Sequence, residues 1–332
     1  MSGFSSLPPA LQATIMSAAV LGALIGILAY VTLLERKFAA RLQSRIGPYR
    51  VGPHGLLQPI ADGVKLLLKE DLIPASADRP VFNLAPIVFL VPCLLIFATI
   101  PFAPGIGVAD LNAGVLFFLA ISSLEIVGLF MAGWGSNNKY ALLSAMRAVN
   151  QIISYDLPFI FSALVPVMLA GSLKLSDIAA AQAGGAWFIL YPVIGQLAFV
   201  AFMVSTLAAE NRVPFDILEA ESELVAGFRV EYSGMKFALI QLGEYAHVIG
   251  SSFLGSVLFL GAWAGPGPEY LGPVWMLLKA MFLFLVLTWI RWSFVRIRVD
   301  QILSLSWKFL LPATLTLLIA TSFVVVWRAG GF

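Results

Sequence analysis

Of the 332 residues, 60% are hydrophobic and 11% charged, against roughly 25% charged in a soluble domain. A chain so short of polar groups cannot cover itself in water, so lipid is its expected solvent. The net charge is +2, no basic tract resembles a nucleic-acid patch, and no nucleic-acid partner is expected.

Cys93 is the single cysteine, which excludes an internal disulfide and an iron–sulfur ligand set. His54 and His247 lie far apart in sequence and make no metal motif. There is no glycine-rich dinucleotide fingerprint, P-loop or serine-nucleophile elbow. No redox cofactor or metal is therefore expected on this chain, and any that serve it belong to partner chains.

Eight apolar runs follow in chain order: 11–34, 84–100, 113–133, 152–171, 187–209, 237–263, 274–294 and 309–327. Each has roughly the 20-residue length of a membrane-crossing helix. The expected fold is all-α: a polytopic membrane protein with about eight transmembrane helices plus amphipathic loop helices, forming a single membrane domain over 1–332. The first run is not expected to be a removable signal peptide, because no Lys or Arg precedes it. Seventeen of the 20 Lys and Arg fall in the loops 35–80, 134–148, 210–236 and 291–308. Opposite them stand Lys174 and Arg328, while Lys279 lies inside the seventh run. The positive-inside rule puts the four loops in the cytoplasm and both termini outside.

In the first loop, Phe38, Leu42 and Ile46 recur at helical spacing among Arg36, Lys37, Arg41 and Arg45. Gly47-Pro48 and Gly52-Pro53 then break the helix. A second apolar stripe follows, Leu57, Ile60, Val64, Leu67 and Leu68, with Asp62, Lys65 and Lys69 off it. One reading is an interfacial helix held by lipid headgroups. The other is a loop folded over an internal chamber that an apolar ligand enters from the membrane.

Glu125, Asp156, Glu244 and Lys279 fall inside the runs, with Glu210 at a boundary. Charges in hydrocarbon cost several kcal/mol, so these groups face protein, water or a counter-charge. They serve either as interhelical ion pairs or as a proton relay, and several carboxyls in one chain favour the relay. His247 could join that relay, but the first expectation for it is an ordinary interhelical hydrogen bond. In the third loop, Pro214 is placed to open a helix. Asp216, Glu219 and Glu223 would then share a face at i, i+3 and i+7, with Glu221 pointing elsewhere. Acids in a first turn complement the helix dipole, yet that leaves Glu221 and Glu223 unexplained. Crowded carboxylates raise one another's pKa and share protons.

Glu35-Arg36-Lys37, Gln43 through Pro48 and Val51 through Asp62 closely resemble the H subunit of respiratory complex I, the bacterial counterpart of mitochondrial subunit 1. The resemblance extends over Ser136 through Leu143, Ile153-Ser154-Tyr155, Arg212 through Asp216 and on to Glu223-Leu224, and Asp300-Gln301 with Trp307-Lys308, in order along nearly the whole chain. It implies a membrane subunit of a proton-translocating NADH:quinone oxidoreductase in a bacterial inner membrane, with both termini periplasmic. Quinone would be the substrate, and iron–sulfur clusters, FMN and NADH would sit on partner subunits. The implied partners are peripheral quinone-site subunits, small membrane subunits, antiporter-like subunits and the lipid bilayer. Arg36, Arg45, Asp62 and Lys65 would line or gate the quinone chamber. Asp216, Glu219, Glu221 and Glu223 would form its acidic outlet, with Glu125, Asp156 and Glu244 continuing into the membrane.

Three departures stand against that pattern. Asp156 replaces a Glu and is one methylene shorter. The Glu three residues before the loop arginine is Ala209 here, with Glu210 one position later; a one-residue shift turns a side chain by about 100° on a helix, which argues against Glu210 in the relay. Tyr49 replaces an Asn at the chamber rim. Two other functions are weighed: a related, quinone-independent subunit of a membrane-bound hydrogenase, and a stand-alone ion transporter. The complete Gly-Pro loop disfavours the first, and the lack of a visible repeat disfavours the second.

Overall fold

In hydrocarbon every backbone N–H and C=O needs a partner within the protein, and a helix supplies one for each residue. The computed structural model describes residues 9–218 and 221–328, without the side chains of 9–13, 16, 19, 221, 222 and 269. In chain order it contains α1 (Pro9–Leu42), α2 (Gln58–Leu68), α3 (Arg79–Leu95), α4 (Gly114–Ser122), α5 (Glu125–Gly135), α6 (Lys139–Ala170) and α7 (Leu175–Ala181). Then come α8 (Ile194–Ala209), α9 (Glu221–Leu224), α10 (Gly234–Phe259), α11 (Gly272–Ser293), α12 (Val299–Leu305) and α13 (Leu311–Arg328). No strand forms among the described residues.

A helix lies on each apolar run. Arg79–Thr99, Gly114–Gly135, Lys139–Ala170, Gly272–Ser293 and Val299–Arg328 have the length and apolarity of a membrane crossing. Ile194–Ala209 is a shorter apolar helix, and α1 and α10 are 34 and 26 residues long. The chain is an all-α polytopic membrane protein.

Helices extend into the expected loops. α6 starts at Lys139, well before its apolar run, because Asn138 caps it by accepting the Tyr140 N–H at 2.9 Å and Ala, Leu and Met favour helix in the first turns. It ends at Gly171, whose φ of 72° closes the last turn. α1 continues to Leu42 and carries Glu35, Arg36 and Arg41 on a helix rather than in a loop. Between α4 and α5 the crossing is interrupted. Ser122 and Ser123 hydroxyls both donate to the Leu119 carbonyl, at 2.9 and 3.1 Å, competing with the backbone ladder. Helix restarts at Glu125, which thereby sits in a first turn, where the dipole favours negative charge.

Close packing in lipid relies on small residues and dispersion contacts. α5 lies so near α3 that a Cβ on Gly128 would collide with the Phe89 backbone. From Ala246 onward α10 is buried through Phe259, at the centre of the bundle. Its far end is closed by Lys279 of α11, whose ammonium donates to the carbonyls of Leu260, Ala262 and Ala264 at 2.6, 2.9 and 2.6 Å. The Trp187 ring lies 4.6 Å from the same nitrogen. Replacing that ammonium with the apolar tip of Lys279→Met should destabilise the subunit by roughly 1.5–3 kcal/mol, the range for hydrogen bonds to a charged group. The measurement is the thermal unfolding midpoint in detergent; an unchanged midpoint would show that the three carbonyls do not need their cap.

Candidate functional site

Irregular backbone at membrane depth must be satisfied by side chains, and α6 supplies them for the segment after α8. Ser144 Oγ donates to Leu218 O at 2.8 Å. Gln151 Nε2 donates to Ala208 O and Phe215 O at 2.7 and 2.8 Å. A turn further on, the Tyr155 hydroxyl holds Ile302 O at 2.9 Å, fixing α12. The segment 210–218 is thus an ordered, non-helical loop. Pro214 does not open a helix: only Glu221–Leu224 is helical, because the loop carbonyls are taken by α6. Asp216 therefore shares no helical face with Glu223. Glu219 lies outside the described residues, as does the side chain of Glu221.

The loop and helices enclose a polar cavity of about 170 Å³. Glu125, Glu210, Asp216, Glu244 and His247 line it, with Arg212, Arg229 and Arg291. Arg229 donates to Gln241 Oε1 and Glu244 Oε2, both at 2.9 Å. His247 Nδ1 lies 3.2 Å from Glu125 Oε2, to which the Cys93 thiol also points at 3.4 Å. Asp156, half-buried on α6, faces the Ser123 hydroxyl with Glu125 and His247 near it. Glu210 turns into the cavity, against the expectation from its shifted register. α8 ends at Ala209 and Asn211 adopts a φ of 51°, so the 100° helical rotation does not govern where Glu210 points. Ser251 donates a hydrogen bond to its Oε1, while the buried Oε2 has no partner.

A second, more open cavity of about 370 Å³ lies between α1, α2 and α10. Leu28, Phe237 and Leu242 give it apolar walls, and Arg36, Asp62 and Lys65 stand along it. Arg36 pairs with Asp62 at 2.7 Å, tying α2 to α1, and Lys37 Nζ donates to His54 O at 2.5 Å. Arg45 is not part of this cavity: it sits on the exposed turn beyond α1 and donates to Gln43 at 2.6 Å. Gln241 borders both cavities, and Tyr245 beside it lines the open one.

Sequence reasoning missed the group that braces this wall. Glu35, 3% exposed, lies between Arg291 at 2.5 Å and Arg212 at 3.4 Å. The Arg212 guanidinium stacks 5.0 Å from the Tyr245 ring centroid. Each charge lies near the end of an apolar run, where it reads as a snorkelling anchor; only their opposite signs at a common depth could have signalled a pair. Glu223, expected in the acidic outlet, is exposed and lies outside the polar cavity. It pairs with Arg147 at 2.7 Å and Arg296 at 3.4 Å. Arg147's hydrogen bond, and next the Arg296 charge, hold its carboxyl below the usual carboxylate range. Among the described residues, no cluster of three His, Cys, Asp or Glu is placed to hold a metal ion.

The family model described as NADH dehydrogenase matches residues 15–322 of this chain. The H subunit of the NADH-quinone oxidoreductase of Dehalococcoides mccartyi (strain CBDB1) is 50% identical over 294 residues, covering 88% of this chain and 81% of that protein. The protein of the same name from Rubrobacter xylanophilus is 48% identical over 313 residues, covering 93% and 94%. That of Geobacillus kaustophilus is 46% identical over 318 residues, covering 94% and 93%.

Two outcomes follow from the charges. Glu35→Ala strands the buried Arg212 guanidinium and the half-buried one of Arg291, and breaking a buried pair costs about 3–5 kcal/mol. Subunit content in membranes, read by blotting, should fall severalfold; wild-type content would show that the pair is not structural. Because Glu223's pKa is depressed, its pairing is fully present above the unfolded value of about 4.3 and is lost as pH falls through the folded value. Hydrogen-exchange protection of the segment around α9, corrected for intrinsic rates, should hold between about pH 6 and 8 and drop only below about pH 4. A drop near neutral pH would mean that another group controls the segment.

Proposed function

We propose a function from one premise: the chain belongs to the NADH dehydrogenase family. It is a membrane subunit of the multi-subunit NADH:quinone oxidoreductase, a complex whose substrate is quinone. Within that complex we assign to this chain the membrane-side wall of the quinone chamber and the first stretch of the proton path. The observation that carries the assignment is the wall shared by two cavities of opposite character. Gln241 touches both, and its neighbour Arg229 holds Glu244 on the polar side.

The chemistry follows from that contact. An apolar tail suits the walls at Leu28, Phe237 and Leu242, while Arg36, Asp62 and Lys65 meet the polar ring. Reducing a quinone to a quinol takes two electrons and two protons, and electrons that arrive first leave negative charge in the open cavity until protons follow. That charge is felt by Arg229 across a thin, weakly screened wall, which loosens its hold on Glu244. Glu244 then exchanges protons with Asp216 and Glu210 in the polar cavity, and Glu125 and Asp156 take them deeper. Moving one charge against 100 mV costs about 2.3 kcal/mol, so no single contact drives the step.

The rest of the assignment follows the same premise. Peripheral subunits carry the iron–sulfur clusters, FMN and NADH site, and small and antiporter-like membrane subunits take protons onward. The single domain 1–332 crosses the bacterial inner membrane eight times. Its four basic loops face the cytoplasm and its termini the periplasm, supported by the charge asymmetry of the loops.

The test is quinone reduction and proton uptake in membranes bearing Glu244→Gln, Asp216→Asn or Glu210→Gln. Amides keep shape and remove titration, so both activities should fall together by at least about 10-fold, within the range that general acid–base groups supply. Subunit content should stay normal, and Glu210→Gln should be as severe as Glu244→Gln. Near-normal coupling in all three would return the cavity to a structural role.

A further inference from the structure

His247 is the only imidazole in the polar cavity, since His54, the chain's other histidine, lies in the exposed first loop. Its ring is 6% exposed and sits on the buried stretch of α10. Glu244, His247 and Ser251 follow one another at i, i+3 and i+7, so they share a face of that helix. Each touches a different neighbour: Glu244 meets Arg229, His247 meets Glu125 of α5, and Ser251 meets Glu210 at the end of α8. The imidazole thus has Glu125 at its Nδ1, and the Ser251-bound carboxyl of Glu210 lies one turn further along the same face of α10.

Its two nitrogens are differently placed. Nδ1 is committed to Glu125 Oε2 at 3.2 Å, while no hydrogen bond to Nε2 forms among the described residues. On the loop side, the buried Oε2 of Glu210 is likewise unbonded and borders the same cavity. A cavity of about 170 Å³ has room for a few waters at roughly 30 Å³ each. Imidazole is the side chain that can accept a proton on one nitrogen and release one from the other.

We propose that His247 is a proton-transferring residue of the coupling path, joining the Glu210 side of the cavity to Glu125 and Asp156. The inference rests on the proton-path assignment above and adds a residue to it. In the step, Nε2 takes a proton from the cavity as Nδ1 gives its own to Glu125. The ring is left neutral in its other tautomer; once Glu125 has passed its proton inward, rotation of the ring about Cβ–Cγ turns the protonated nitrogen back toward Glu125, so that one proton has moved from the cavity to Glu125. The competing role is a plain hydrogen bond tying α10 to α5.

The assembled complex in membranes separates the two. His247→Asn and His247→Gln each keep a donor for Glu125 but cannot carry a proton. Both should retain normal subunit content yet lose at least about 10-fold in quinone reduction and proton uptake, with the fall in kcat and not in KM for quinone. The double variant His247→Asn/Glu125→Gln should be no worse than either single change, as groups acting in one step are non-additive. Amide variants within twofold of wild type, beside an inactive Glu125→Gln, would overturn the inference and leave the proton path standing. Loss of the subunit in both amide variants would also overturn it, because packing of the ring would then be what the fold requires. A fully active Glu125→Gln would remove the path and the inference together.

Discussion

A carboxylate buried between two guanidinium groups holds the loop end of this molecule together. Glu35 comes from α1, Arg212 from the segment after α8 and Arg291 from α11, and the Tyr245 ring of α10 lies under Arg212. Any of these charges alone would be expelled from such a place, since an unpaired buried ion costs several kcal/mol. Together they fix the spacing of four elements that no apolar contact could set so directionally. α1 in turn positions Arg36, and through its pair with Asp62 the helix α2. The open cavity inherits its shape from that chain of contacts.

The second constraint is the backbone itself. A non-helical loop among membrane helices needs a partner for each buried carbonyl, and one face of α6 provides them. Ser144 and Gln151 direct their polar atoms to the irregular loop backbone, and Tyr155 on the same face holds Ile302 O of α12. Their burial is offset by order: the loop that carries Arg212 and Asp216 becomes as well placed as a helix. Ile297 N donates to Pro214 O at 3.0 Å and locks the loop from its other side. Acid–base groups need such rigidity, because proton transfer falls off steeply when donor and acceptor drift apart.

The two cavities differ in polarity. One offers apolar walls with charges at intervals, and the other is crowded with carboxyls and their counter-cations. A shared wall lets an electrostatic event in one be felt in the other without exchange of atoms. Glu223 shows the contrast: carboxyls that line the polar cavity can serve a relay, whereas an exposed carboxyl gripped by two arginines is held ionised and serves as an anchor.

Sequence alone determined the class of molecule, for a plain physical reason. Runs of about 20 apolar residues admit one solution in hydrocarbon, a helix that satisfies its own backbone. It also singled out Glu125 and Glu244, because charges among apolar neighbours stand out in one dimension, while Arg36 and Asp62 drew notice as chamber residues only through the resemblance. Other features depended on contacts between distant segments. The helical face expected after Pro214 gave way to a loop, since the side chains that compete for its carbonyls lie some 60 to 75 positions away on α6. The rotation that set Glu210 aside assumed a helix that had already ended at Ala209. Glu35 and Arg291 meet across 256 positions, and each by itself looks like an ordinary charge at the end of a span. Local periodicity carries no information about which distant charge will arrive beside it; tertiary packing decided that pairing, and with it the site.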